Sequence, residues 1–124
     1  MAKFLLVDDD PVFLEGLRGM VEEQFPNAEI EATTSGLEAL RKAVSEEPPY
    51  DVMIVDVDMR PITGDDIDTI VQMLRHRKVL HTEVVLISGK ISGRPGNYLH
   101  KPFSSDELGA LVGEFLDRMQ HADD

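Results

Sequence analysis

Phe4–Val7 and Val52–Val55 are unbroken apolar runs, the pattern of strands buried on both faces of a parallel sheet. Between them the period changes. From Pro11, which a first helical turn tolerates, Val12, Phe13, Leu17, Met20 and Val21 recur at helical spacing until Phe25-Pro26 stops the run. Asp10, beside that proline, reads as the N-cap. Ala28–Thr33 alternates as a weaker strand. Ser35 with Glu38 then predicts a capping box for a short helix carrying Leu37, Leu40 and Val44, ending before Pro48-Pro49.

The second half repeats the alternation. Val52–Val55 ends at Asp56, and a loop with Pro61 and Gly64 leads to a helix built on Ile67, Ile70, Val71 and Leu74. Glu83–Ile87 predicts a fourth strand and Asn97–His100 a fifth. Ser104 with Glu107 caps a last helix whose stripe is Leu108, Leu111, Val112, Phe115 and Met119. Strands alternating with helices imply right-handed crossovers and a parallel sheet covered on both faces, so the fold class is α/β. One domain over residues 1–120, with 121–124 as a frayed tail, is the expected organisation.

Length and charge narrow the function. At 124 residues the chain can bury a proper core. Twelve basic against twenty-four acidic residues leave a net charge of −12, which repels a phosphate backbone, so this domain is not expected to bind nucleic acid alone. No segment has the apolar length of a membrane span. The start lacks the apolar core of a signal peptide and there is no cysteine, which fits a cytoplasmic location. The four histidines show no mutual ligand spacing.

In open α/β sheets, ligands bind beyond the carboxyl ends of the strands. Asp8 and Asp9 follow the first strand, Asp56 the third and Ser88 the fourth, while Lys101 precedes Pro102 after the fifth. If the first and third strands are neighbours, two carboxylates at ~4 Å repel by about 1 kcal/mol in water and ~4 at an effective dielectric of 20. A cation must offset this. Two or three carboxylates with room for waters suit Mg²⁺ better than Ca²⁺, and Lys101 supplies a second positive charge. A metal, an ammonium and a hydroxyl around one carboxylate suit phosphoryl transfer. Asp56 is then the nucleophile, Asp8, Asp9 and Asp56 the metal ligands, and Ser88 and Lys101 the groups holding the peripheral oxygens.

Leu5-Leu6-Val7-Asp8-Asp9-Asp10-Pro11, Asp51-Val52-Met53-Ile54-Val55-Asp56, Val84-Val85-Leu86-Ile87-Ser88-Gly89 and Tyr98-Leu99-His100-Lys101-Pro102-Phe103 together resemble the response-regulator receiver domain over the whole chain. The resemblance implies a flavodoxin-like, doubly wound five-stranded sheet of order 2-1-3-4-5. It implies Mg²⁺-dependent phosphotransfer to Asp56 from a histidine kinase or histidine phosphotransfer protein. It also implies that Asp58 offers its backbone carbonyl to the metal, that Gly89 keeps the site open, and that Tyr98 moves inward when the Ser88 hydroxyl is drawn to the phosphoryl group. Such a domain assists its own phosphorylation and dephosphorylation without being an enzyme on another substrate.

The chain departs from that pattern after Ser88. Residues 89–96 hold three glycines and a proline, and eight residues stretch at most about 27 Å, enough to run back along a strand but not to include a helix of several turns. Four helices are therefore expected, with a loop as the β4–β5 crossover. Losing a helix should bare apolar surface on strands four and five, a face for a partner or for a homodimer. Arg60 stands where the family has proline, with Pro61 one step later. Lys90 is placed to pair with Asp58 across the mouth of the site and slow attack on the acyl phosphate. Two other readings compete: a phosphorylation-silent receiver-like interaction module, and a Mg²⁺-dependent aspartyl phosphatase in which Asp56-Val57-Asp58 is the nucleophile motif.

Overall fold

The computed structural model describes residues 1–90 and 97–121. Its elements run β1 (Lys3–Val7), α1 (Pro11–Gln24), β2 (Glu29–Thr33), α2 (Gly36–Ser45), β3 (Val52–Asp56), α3 (Gly64–His76), β4 (Glu83–Ser88), β5 (Tyr98–His100) and α4 (Ser105–His121). The strands form one parallel sheet in the order β2-β1-β3-β4-β5, the flavodoxin-like doubly wound arrangement.

The unbroken apolar runs are explained by the two faces they fill. Phe4, Leu6, Val52, Ile54, Val85 and Ile87 point to the side covered by α1 and α4, where they meet Leu17, Val21, Leu108, Val112 and Phe115. Their alternate neighbours Leu5, Val7, Met53, Val55, Val84 and Leu86 face α2 and α3 and meet Ala39, Ala43, Ile67 and Val71. With a side-chain period of two, a strand covered on both sides has no polar position to spare.

Helix ends are fixed locally. Asp10 caps α1 by accepting from the Val12 and Phe13 N–H groups. Ser104 and Glu107 form the complete reciprocal capping box expected of them. Ser35 caps α2 through the Glu38 N–H, but the other half of its box is not made. The Ser35 N–H goes to Thr33 Oγ1, and Glu38 turns to Arg41 instead. A third box, Thr63 with Asp66, starts α3.

Three expectations need correction. Leu37 and Val44, expected on the apolar face of α2, are 68% and 59% exposed. The helix instead lies on the sheet through Ala39 and Ala43, because small residues let it approach closely. Val12, counted in the stripe of α1, is 79% exposed, and Leu14 takes the buried place. The bare apolar face expected on β4 and β5 is narrower among the described residues: Val84, Val85, Leu86 and Ile87 of β4 are all buried, and Tyr98 and Leu99 of β5 are half-buried.

Four helices are present among the described residues, as expected. Of the β4–β5 crossover, Gly89 and Lys90 are non-helical. Residues 91–96 lie outside the described residues, as do 122–124 of the expected tail, while α4 continues to His121. No helix among the described residues is long and apolar enough to cross a membrane.

Candidate functional site

Register brings the carboxylates together. Val7 pairs with Val55, so Asp8 and Asp56 leave β1 and β3 at the same level, on either side of the point where strand order reverses. Asp56 lies opposite Ile87 and Ser88 opposite His100, and the Lys101 N–H donates to the Ser88 carbonyl at 2.7 Å. All five strand-end residues singled out in the sequence therefore gather at one edge of the sheet.

One carboxylate oxygen from each of Asp8, Asp9 and Asp56 lies within 4.8 Å of the others. Asp8 and Asp56 are 1% and 5% exposed, whereas Asp9 is open to solvent. Lys101 Nζ stands 3.2 Å from Asp8 Oδ2 and 3.6 Å from Asp56 Oδ1. Backbone donors complete the cradle. The Asp10 N–H reaches Asp8 Oδ1 at 2.9 Å and the Asp58 N–H reaches Asp56 Oδ1 at 3.3 Å.

These donors do not fully offset burial at Asp56. Desolvation, and then the Asp8 charge, push its carboxyl above the ordinary aspartate range, with Lys101 and the Asp58 N–H acting in the opposite direction. A buried carboxylate so placed calls for more positive charge than the chain supplies. Hard oxygen donors, two of them buried and one open to water, fit a small divalent ion such as Mg²⁺ that keeps part of its hydration.

Ser88 is 2% exposed, and its hydroxyl donates to Asp58 Oδ2 at 2.9 Å. Lys90 Nζ lies 3.5 Å from Asp58 Oδ1, so the expected pair across the mouth is formed, although Lys90 is well exposed. Tyr98 is half-buried on β5 with its hydroxyl donating to the Lys90 carbonyl. Met59 is buried in the core below the loop while Arg60 is exposed.

Three contributors escape sequence reasoning. Phe13 lies under Lys101, with Nζ 3.8 Å from the ring centroid, and meets Phe103 edge-on. Its place in an apolar stripe reads as core and nothing more. Gly64 packs the first turn of α3 against the backbone of β3, where an added Cβ would lie 2.5 Å from the Asp56 carbonyl oxygen. The Asp58 side chain, expected to pair with Lys90, also holds the Ser88 hydroxyl, a contact the sequence does not announce. No local signal marks any of the three, since each depends on residues distant in the chain.

A doubly wound sheet with an acidic, lysine-bridged cleft at its switch point defines an α/β protein whose chemistry sits between β1 and β3. A sequence model of the response regulator receiver domain matches residues 4–113, and the chain belongs to that family, whose members act in two-component signalling. Among solved structures, it is similar to a receiver domain protein from Clostridium thermocellum, with a TM-score of 0.83, 22% identity and coverage of 98% of this chain and 99% of that one. The chemotaxis protein CheY4 of Vibrio cholerae superposes with a TM-score of 0.75 at 28% identity, over 93% of this chain and 98% of that one. The receiver domain of the sensor histidine kinase PA1611 of Pseudomonas aeruginosa PAO1 gives 0.77 at 20% identity, over 94% and 98%, and carries a magnesium ion in its active-site cleft. No curated protein matches the sequence.

Proposed function

We propose that this receiver domain accepts a phosphoryl group on Asp56, in a Mg²⁺-dependent reaction, from a histidine kinase or a histidine phosphotransfer protein in the cytoplasm. The observation that carries the proposal is the convergence of the Asp8, Asp9 and Asp56 oxygens within 4.8 Å, with Lys101 bridging two of them. That arrangement leaves a buried carboxylate beside both a cation-binding set and a fixed ammonium.

Asp8, Asp9 and Asp56 are the residues that would hold the metal, with the Asp58 carbonyl completing the set. When bound, the ion screens the carboxylates and draws charge from the phosphoryl oxygens. In the transfer, an Asp56 carboxylate oxygen attacks phosphorus as the bond from phosphorus to the donor imidazole nitrogen breaks. The electron pair of that bond stays with the imidazole. Lys101, held between Asp8 and Asp56 above Phe13, neutralises the oxygen charge that the group brings. The Ser88 hydroxyl donates to a second peripheral oxygen, and Tyr98 follows it, changing the surface offered to partners. The domain assists making and breaking its own acyl phosphate and turns over no separate substrate.

Incubation with acetyl phosphate and Mg²⁺ followed by intact mass measurement tests this. The wild type is expected to gain one phosphoryl group, and Asp56→Asn or chelation of the metal to prevent it. A wild type that gains none would leave the silent interaction module as the better account.

A further inference from the structure

Asp58, Ser88, Lys90 and Tyr98 are joined in one hydrogen-bonded unit. Ser88 Oγ donates to Asp58 Oδ2 at 2.9 Å and accepts from the Lys90 N–H at 3.1 Å. The Lys90 carbonyl in turn accepts from the Tyr98 hydroxyl. A serine hydroxyl has a single proton to donate, so while Asp58 holds it, a group on Asp56 cannot. The bond is charge-assisted, which makes it about twice as strong as a neutral one. By contrast, the Lys90–Asp58 ion pair involves an exposed lysine and contributes little.

We propose that the Asp58 carboxylate is a positioning residue that sets the threshold of the switch: by holding the Ser88 proton it keeps Lys90, and through it Tyr98, in their present arrangement until a phosphoryl group on Asp56 takes the proton over. The second half of this statement rests on the acceptor reading of Asp56, whereas the hold on Ser88 and Tyr98 does not. Two ligands compete for one donor. A state that binds the phosphoryl group is therefore reached more readily when the resident acceptor is removed. Asp58 is an exposed loop residue, so its truncation leaves the core intact.

Two measurements test the proposal. The first uses proton NMR of the two tyrosine rings without metal or phosphoryl donor. In Asp58→Ala the Tyr98 resonances are expected to shift, with Tyr50, buried beside Lys3, as the unmoved reference. Unmoved Tyr98 resonances would overturn the proposal.

The second uses beryllofluoride, a tetrahedral phosphoryl mimic, at saturating Mg²⁺. Loss of the competing acceptor in Asp58→Ala should tighten its binding about tenfold, and in a Ser88→Ala background by about twofold at most. Asp58→Asn, whose amide oxygen still accepts but without charge, should lie between. Lys90→Ala, which keeps both backbone groups, should change affinity by about twofold or less. An equal gain with and without the Ser88 hydroxyl would mean that Asp58 acts through its charge alone, and the proposal would fail. If the wild type takes up no beryllofluoride, the acceptor reading falls, and the Tyr98 resonances still decide whether Asp58 holds the switch.

Discussion

Asp56 carries an ionisable group where burial opposes its charge. Its raised pKa means that the native protein binds that proton more readily than the unfolded chain does. The cost of the ionised form is therefore present at neutral pH and relieved as pH falls through the raised value. Asp56→Asn removes the charge and keeps the shape. Its metal-free thermal midpoint is expected to rise, by about 4 °C for each kcal/mol relieved in a domain of this size. The gain should shrink on acidification. It should also disappear at saturating Mg²⁺, which stabilises the wild type by binding the native state alone. Melting curves with chelator and with magnesium, at neutral and acid pH, check this, and a variant no more stable at neutral pH in chelator would show that Lys101 already compensates Asp56.

Helix ends show how local chemistry and its competitors divide the outcome. Ser104 and Glu107 meet as a reciprocal pair, and among the described residues no ion pair draws Glu107 away. Glu38 has the same spacing from Ser35 but finds Arg41 one turn on, and the stronger partner takes it. Thr63 and Asp66 form a complete box with aspartate in place of glutamate, a pairing that a search for the longer acid passes over. Thr63→Ala should cost about 1 kcal/mol, read as a lower urea midpoint with an unchanged slope. A midpoint equal to wild type would mean that water replaces the cap without loss.

Across the molecule, the placement of Asp56 depends on how closely α3 sits behind β3. At Gly64 a Cβ would lie 2.5 Å from the Asp56 carbonyl oxygen and 2.8 Å from Val57 Cα, and backbone atoms cannot turn aside as a flexible side chain can. Gly64→Ala must push the helix or the strand, at a cost of about 1–3 kcal/mol. Labelling of Asp56 by acetyl phosphate should slow with it, because the carboxylate moves relative to Asp8 and Lys101. Urea unfolding and the rate of mass gain measure the two effects, and a destabilised variant with wild-type labelling would place the strain in α3 alone.

The alternation of elements, the parallel sheet and the five polar strand ends were legible in the chain because they are written in short-range terms. A run of four apolar residues closed by aspartate states both the period of a strand and where its edge lies. Which side chains then meet is settled over long separations. The pairing of Val7 with Val55 levels Asp8 with Asp56 across nearly fifty residues, and Lys101 reaches Asp8 across ninety-three. The face that α2 buries is not legible locally, because leucine and valine promise more burial than alanine, yet Ala39 and Ala43 are buried while Leu37 and Val44 are exposed. Covering of β4, the seat of Lys101 on Phe13, and the choice of Asp58 over Asp56 by the Ser88 hydroxyl are likewise matters of packing. Local pattern carries the period and punctuation of a chain, but competition among partners for one proton or one patch of surface exists only once the chain has folded.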